Sequence, residues 1–235
     1  MKTLKVLGYL LTYPRAETGE ALPWCIAVLE EEKWVSPETL AGIKNLAAWM
    51  TLTDLLDVQE EYVGLFDRTP SLCLHLFEHV HGDSRDRGQA LVDLADVYKE
   101  KGLAIATEEL PDYLPLFLEY LSTLPVEEAR DNLDNTVNIL ASMRGRLEKR
   151  NSRYAVVFRG LEDAARRKPD AAAVEAALAR ATGVASTAAE IDSVWEEQFA
   201  FAKPGDNPDA GCPKAKDMVA RMRDYDTAQV KEKRS

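Results

Sequence analysis

The order of apolar and polar residues along this chain is helical almost throughout. Apolar side chains recur at intervals of three and four positions, which places them on one face of an α-helix. Ser36 and Pro37 have the form of a helix N-cap followed by proline at the first helical position. The apolar residues that follow keep the helical interval: Leu40, Ile43, Ala47 and Met50. A second stripe follows the helix start at Asp54 and consists of Leu55, Val58, Tyr62 and Leu65.

The rest of the chain continues this pattern and predicts an all-α fold, a single-domain multi-helix bundle. We expect an N-terminal helix that stops at Pro14 and a helical segment from about Ser71 to Gly82. Another helix is expected to begin at Asp83 or Ser84 and to end at Lys101-Gly102. Further helices are predicted at 111–122, 126–149, 152–167, 170–182 and 187–200. Residues 154–158 have the composition of a strand, but their apolar positions keep a helical interval.

A change in composition divides the chain into two regions. Proline, glycine and asparagine crowd the stretch from Pro204 to Pro213, which is typical of a linker. The sequence therefore predicts a helical domain over 1–203. A linker, a short helix near 214–224 and a flexible tail are expected over 204–235.

Composition and charge narrow the range of partners. The chain has 235 residues, of which 46 % are hydrophobic and 29 % are charged, so it is neither a disordered polymer nor a membrane protein. The 29 Lys and Arg residues against 40 Asp and Glu residues give a net charge of −11. Such a surface repels nucleic acid and anionic lipid and attracts basic peptides. The simpler alternative is that the acidity serves solubility alone.

The cysteines and the N-terminus predict a cytoplasmic location. Cys25, Cys73 and Cys212 are odd in number and form no C-x-x-C pair, which indicates a reducing compartment rather than disulfides or a thiolate zinc site. The apolar run at 6–11 is too short to cross a bilayer, and no small-residue cleavage site follows it. We therefore expect neither a signal peptide nor membrane insertion.

All three histidines lie within nine residues of one another, between Cys73 and His81. His75, Glu78 and His79 match H-x-x-E-H, in which two histidines one helical turn apart hold zinc and a glutamate activates water. This pattern supports a zinc hydrolase only if a third ligand is present. The alternative is that the histidines lie along a helix face and bond to neighbouring groups. No other catalytic or phosphate-binding motif is present.

Two further segments carry clustered charge or helix-start signals. Residues 83–88 alternate acids and arginines, which suits either a solvated helix start or a set of carboxylates that accepts a basic partner. Pro111 and Asp112 are typical of the first positions of a helix whose apolar face continues through Leu121.

Several segments resemble one known family. Residues 77–90 (FEHVHGDSRDRGQA), preceded by 62–68 (YVGLFDR), resemble the NarJ family of nitrate reductase molybdenum cofactor assembly chaperones, within the wider TorD/DmsD class. Residues 109–121 (ELPDYLPLFLEYL) and 152–156 (SRYAV) also fit. The resemblance covers about residues 4–200. The wider class has the motif Pro-Asp-His-Leu, and in this chain Tyr113 takes the place of the histidine. A role for that imidazole therefore does not carry over.

The resemblance implies an all-helical cytoplasmic chaperone that is not an enzyme and holds no cofactor of its own. Members bind the N-terminal segment of the catalytic (alpha) subunit of nitrate reductase, delay its docking at the membrane, and allow the molybdenum cofactor to be inserted. The implied partners are that segment, basic and amphipathic, and the proteins of molybdenum cofactor biosynthesis. The alternative from the residues alone is a generic helical scaffold that binds no such segment.

An acidic helical protein can capture an amphipathic helix in an apolar groove whose carboxylates select a basic sequence. We expect nine residues to surround or support this groove and to form the client-peptide-binding site: Tyr62, Phe66, Phe77, His79, His81, Asp83, Asp86, Asp112 and Tyr113.

Overall fold

A computed structural model gives the arrangement of residues 1–81, 85–106 and 109–181, without the side chains of 81, 85, 86 and 179–181. Eleven α-helices lie in these ranges. They are α1 Lys2–Tyr9, α2 Ala16–Glu32, α3 Pro37–Leu52, α4 Leu55–Tyr62, α5 Glu78–His81, α6 Arg85–Glu100, α7 Leu114–Thr123, α8 Val126–Asp134, α9 Val137–Lys149, α10 Ala155–Ala164 and α11 Ala171–Ala181. A π-helical turn at Val63–Asp67 and a 3-10 turn at Pro70–Leu72 connect α4 towards α5.

Helix α1 lies at the centre of the molecule and packs against α2, α7 and α10. Its apolar run is almost completely withdrawn from water, since Leu4, Val6, Leu7, Leu10 and Leu11 are at most 1 % exposed. The other helices extend the same hydrophobic core, with α3 against α10 and α9 between α10 and α11. The remaining face of α1 carries the exposed Lys2 and Lys5, so α1 is an amphipathic helix whose apolar face is turned into the core. The N-terminal run is therefore a core helix, and no described helix is long and apolar enough to cross a bilayer.

The predicted all-α class is confirmed over the described residues, which contain no β-strand and only one β-bridge. The predicted caps at Ser36 and Asp54 are present, because their side chains accept hydrogen bonds from Thr39 N and Leu56 N. Gly102 follows the end of α6 with a φ of +76°, a conformation that glycine adopts without strain. Residues 154–158 are not a strand, since α10 begins at Ala155.

The predicted segment boundaries are wrong in several places. The sequence pattern missed α2, which contains Pro23. The single helix expected at 126–149 is two helices, because the buried Thr136 hydroxyl donates to the Leu133 carbonyl, 2.8 Å away, where the chain turns. Helix α7 begins at Leu114 rather than at 111. The helices expected at 187–200 and 214–224, the tail, and the starts proposed at Asp83 and Ser84 lie outside the described residues.

The segment 71–82 is not one helix. Only Pro70–Leu72 and Glu78–His81 are helical, and between them the chain passes through a β-bridge at His75 and a turn at 76–77. Its backbone groups bond to the residues before α7, with Leu76 N donating to Asp112 O at 3.0 Å and Leu114 N to Leu74 O at 2.8 Å. A local helical preference is overridden because this pairing satisfies the same backbone groups at a longer range.

Candidate functional site

The site is built around the bridge that joins these two stretches. His75 and Tyr113 form an antiparallel β-bridge, and their rings lie 5.5 Å apart between centroids. The bridge brings side chains that are far apart in the sequence onto one surface. It also fixes the direction in which α7 leaves, because Tyr113 is the residue before its first turn.

The side chain of Asp112 lies beneath this bridge and stabilises it through two hydrogen bonds. The residue is completely buried, and one of its carboxylate oxygens accepts a hydrogen bond from Phe77 N at 3.0 Å. The other carboxylate oxygen lies 3.1 Å from His75 Nδ1. This hydrogen bond raises the pKa of His75, because it favours the protonated imidazole. Asp112 is therefore a positioning group, and His75 presents its ring at the surface.

Tyr62, at the end of α4, forms the opposite wall of the site. Its hydroxyl donates to the Leu11 carbonyl at 2.9 Å and lies 3.4 Å from the Tyr113 hydroxyl. Its ring packs edge-on against Tyr13, at 5.6 Å between centroids, and against Phe66 at 5.0 Å. Burial raises the pKa of the Tyr62 phenol, which therefore stays neutral. The π-helical turn after α4 places Phe66 and Asp67 beside it.

These elements enclose a groove in two adjoining compartments, which we call the Tyr113 groove. The larger has a volume of about 420 Å³ and is lined by Tyr13, Tyr62, Phe66, Asp67, Cys73, Leu74, His75, Glu109 and Tyr113. The smaller has a volume of about 260 Å³ and is lined by Lys5, Gly8, Tyr9, Thr12, Glu109, Tyr113, Pro115, Leu116 and Glu119. The two compartments share Glu109 and Tyr113, so they adjoin at these residues.

The groove combines an aromatic and aliphatic lining with carboxylates at its edge. Asp67 and Glu109 are exposed, and neither forms an ion pair within the described part of the chain. Glu119 is paired with Lys5 at 2.8 Å. Tyr13 remains 42 % exposed. A surface of this kind suits an amphipathic segment that places apolar side chains inside and cations at the rim.

Comparison with known proteins gives a family for this chain. A family model described as "Nitrate reductase delta subunit" matches residues 35–159, which include every lining residue of the larger compartment except Tyr13. The chain belongs to the nitrate reductase delta subunit family. This confirms the resemblance that the sequence segments carry.

Three relatives of the nitrate reductase delta subunit family illustrate the similarity. The nitrate reductase molybdenum cofactor assembly chaperone NarJ of Escherichia coli (strain K12) is 40 % identical over 198 residues, which are 84 % of each chain. NarW of the same strain is 37 % identical over 198 residues, which are 84 % of this chain and 82 % of the relative. NarJ of Bacillus subtilis (strain 168) is 29 % identical over 180 residues, 74 % of this chain and 96 % of the relative.

The structure brings together only some of the residues that the sequence predicts for the site. Tyr62, Phe66 and Tyr113 line the groove in this member of the nitrate reductase delta subunit family, and Asp112 lies beneath it. Phe77 is completely buried in the core. Asp83 and the side chains of His81 and Asp86 lie outside the described residues.

His79 does not line the groove. Its Nε2 lies 2.7 Å from the Cys73 carbonyl oxygen, and desolvation of the ring lowers its pKa. His79 is therefore neutral and holds the backbone at Cys73 in place through this hydrogen bond. His75 and His79 are not one helical turn apart, since His75 lies in the β-bridge before α5, so the geometry on which the zinc hydrolase hypothesis depended is absent. The described residues also contain no cluster of three or more metal-binding side chains.

Sequence reasoning missed six residues that line the larger compartment: Tyr13, Asp67, Cys73, Leu74, His75 and Glu109. No local pattern marks Tyr13, whereas Glu109 could have been found because it begins the segment 109–121. Asp67 could have been found, because it follows Phe66 within the segment 62–68. Burial raises the pKa of the Cys73 thiol to about 12, so this cysteine is a lining group and not a nucleophile.

Proposed function

We propose that this chain is a cytoplasmic assembly chaperone of nitrate reductase, and that the Tyr113 groove holds the N-terminal segment of the apo catalytic subunit. The segment is basic and amphipathic. While it is held, docking at the membrane is delayed and the molybdenum cofactor is inserted. The observation that carries the proposal is a groove of two adjoining compartments with an aromatic lining and, at its edge, Asp67 and Glu109, which form no ion pair among the described residues.

Membership of the family supports nitrate reductase as the client. NarJ of Escherichia coli is named for the assembly of nitrate reductase with its molybdenum cofactor, and 84 % of the present chain aligns with it. The chemistry of the groove agrees with a binding role, because burial raises the pKa of the Cys73 thiol to about 12 and leaves the groove without a thiolate nucleophile. The chain thus binds a polypeptide and makes no covalent change to it.

Affinity is expected to come from the aromatic residues and selectivity from the carboxylates. Tyr113 separates the two compartments and contacts both, so it occupies the central position where binding energy concentrates. Asp67 and Glu109 are exposed, and each contributes less than Tyr113 because water and salt screen exposed charges.

The test is calorimetric titration of the full chain with a synthetic peptide of the first residues of the nitrate reductase catalytic subunit from the same organism. We expect binding by the native chain and about 30-fold weaker binding by Tyr113→Ala, as for a central aromatic anchor worth about 2 kcal/mol. Asp67→Asn with Glu109→Gln should weaken binding by about threefold to tenfold.

Two controls make this test specific. Glu20→Gln with Glu31→Gln removes the same charge from the exposed surface of α2 and should leave binding unchanged. A peptide of the same composition in scrambled order should bind at least tenfold more weakly. Equal binding of the scrambled peptide would favour a generic scaffold, and undiminished binding by Tyr113→Ala would place the client elsewhere.

A further inference from the structure

The sequence after the last described helix contains a second candidate occupant of the Tyr113 groove. Residues 214–224 read KAKDMVARMRD. Their apolar residues keep the interval of one helix face: Ala215, Met218, Val219 and Met222. The four basic residues Lys214, Lys216, Arg221 and Arg223 outnumber the acids Asp217 and Asp224. In an acidic chain, this short segment has the charge and the patterning expected of the client.

The described structure places the start of this C-terminal region beside the groove. The Arg146 guanidinium donates to Ser71 O and to Ala177 O, both at 2.9 Å. Helix α11 therefore runs alongside the 3-10 turn at Pro70–Leu72, and the next residues along the chain from that turn, Cys73 to His75, line the groove. The end of α11 lies about one helical turn beyond Ala177, and the first lining residue of the groove lies two residues beyond Ser71. The end of α11 is therefore within about 20 Å of the groove.

The connection is long enough for the segment to reach the groove. Thirty-two residues lie between Ala181 and Lys214. With the predicted helix at 187–200 counted as about 20 Å and the other 18 residues counted as a random coil, the root-mean-square span is about 30 Å, which is close to the distance required. A linker whose span matches the separation of two sites gives an effective concentration in the range of about 1 mM. A weak segment would therefore occupy the groove a large part of the time.

We infer that residues 214–224 bind in the Tyr113 groove and compete with the client, so that the chain regulates its own binding site. The apolar face of the segment covers the aromatic lining, and its lysines and arginines meet Asp67 and Glu109. Methionine suits such a transient contact because its side chain adapts to different surfaces. This inference rests on the proposed function for the identity of the competing client, but the occupation of the groove by the segment can be tested without it.

The first experiment measures client-peptide affinity by fluorescence anisotropy in two charge variants of the full chain. The first variant carries Lys214→Glu, Lys216→Glu and Arg221→Glu. The matched control carries Lys231→Glu, Lys233→Glu and Arg234→Glu, which change two lysines and one arginine outside the segment. We expect the first variant to bind the client about tenfold more tightly, since it removes a competitor of about 100 µM affinity present at about 1 mM. The control should equal the native chain.

The second experiment tests the groove directly with a synthetic peptide of residues 213–225, added to the first charge variant. It should bind, and Asp67→Asn with Glu109→Gln in the same background should weaken it at least threefold. If the native chain binds the client, equal tightening by both charge variants, or no tightening by either, would overturn the inference. Binding of the 213–225 peptide that is unchanged by Tyr113→Ala would also overturn the inference. If no variant binds the client while the 213–225 peptide still binds the groove, the proposed function fails and the inference stands.

Discussion

At the scale of single residues, one buried carboxylate organises the site. Asp112 accepts hydrogen bonds from a backbone amide and an imidazole that belong to a stretch almost forty positions earlier in the chain. A buried charge costs free energy unless its oxygens are paired, and here both are. Removing the carboxylate therefore takes away the acceptor 3.0 Å from Phe77 N and the partner of the His75 ring.

Asp112→Ala should lower the free energy of unfolding by about 3 kcal/mol, because it removes two hydrogen bonds to a carboxylate, each worth about 1.5 kcal/mol or more. Urea unfolding followed by circular dichroism measures this change. Asp112→Asn should cost less, because its amide can still accept from Phe77 N and donate to a neutral His75 ring. A loss below about 0.5 kcal/mol for Asp112→Ala would show that the bridge stands without its carboxylate.

The same pair predicts a dependence on pH. Because the folded pKa of His75 is raised, the stabilisation from its pairing with Asp112 is fully present below about pH 6.5 and is lost as the pH rises through the folded pKa. NMR titration of the imidazole protons should find a His75 pKa above the ordinary value in the native chain and at or below it in Asp112→Asn. His79 is the internal control, since its lowered pKa comes from burial and should change little. An unchanged His75 pKa in Asp112→Asn would contradict the assignment.

At the scale of elements, the contact between two of the helices depends on a glycine. A Cβ atom added at Gly42 in α3 would lie 2.6 Å from Val156 Cγ2 in α10. The valine side chain has little rotameric freedom to move away. The contact between α3 and α10 is therefore possible at its present distance only because residue 42 has no side chain.

Gly42→Ala should destabilise the fold by about 1 to 2 kcal/mol, because overpacking outweighs the gain in helix propensity. Thermal unfolding measures the effect. Gly19→Ala in α2 is the matched control, since nothing lies within 4 Å of its added Cβ, and it should stabilise the chain slightly. Adding Val156→Ala to Gly42→Ala should restore part of the loss. A Gly42→Ala chain as stable as Gly19→Ala would mean that the two helices separate at no cost.

At the scale of the whole molecule, the groove is assembled from four distant parts of the chain. These parts are α1 with the residues after it up to Tyr13, the end of α4 with the following π-helical turn, the stretch before α5, and the start of α7 with the residues before it. The net charge of −11 acts over all of it, and a field of this kind steers a basic peptide before any contact forms.

Steering predicts that salt acts on the association rate of the client peptide. From about 10 mM to about 150 mM salt, the Debye length falls from about 30 Å to about 8 Å. The association rate measured by stopped-flow fluorescence should then fall about tenfold, with a much smaller change in the dissociation rate. For a client peptide whose lysines and arginines are replaced by glutamine, the association rate should not depend on salt in this way. A salt effect confined to dissociation would contradict long-range steering.

The sequence by itself determined the helical class, the caps at Ser36 and Asp54, and the family, because each depends on residues close together in the chain. Periodicity also identified Tyr62 as a position on a buried helix face, and the resemblance drew attention to Tyr113.

Only the tertiary structure decided that His75 is extended, that Thr136 separates α8 from α9, and that Tyr13 and Glu109 share a groove with Tyr62 and Tyr113. The physical reason is range. A helix satisfies its backbone within four residues, so its pattern is visible locally, whereas the bridge between His75 and Tyr113 and the carboxylate beneath it gain their free energy from partners that only folding brings together.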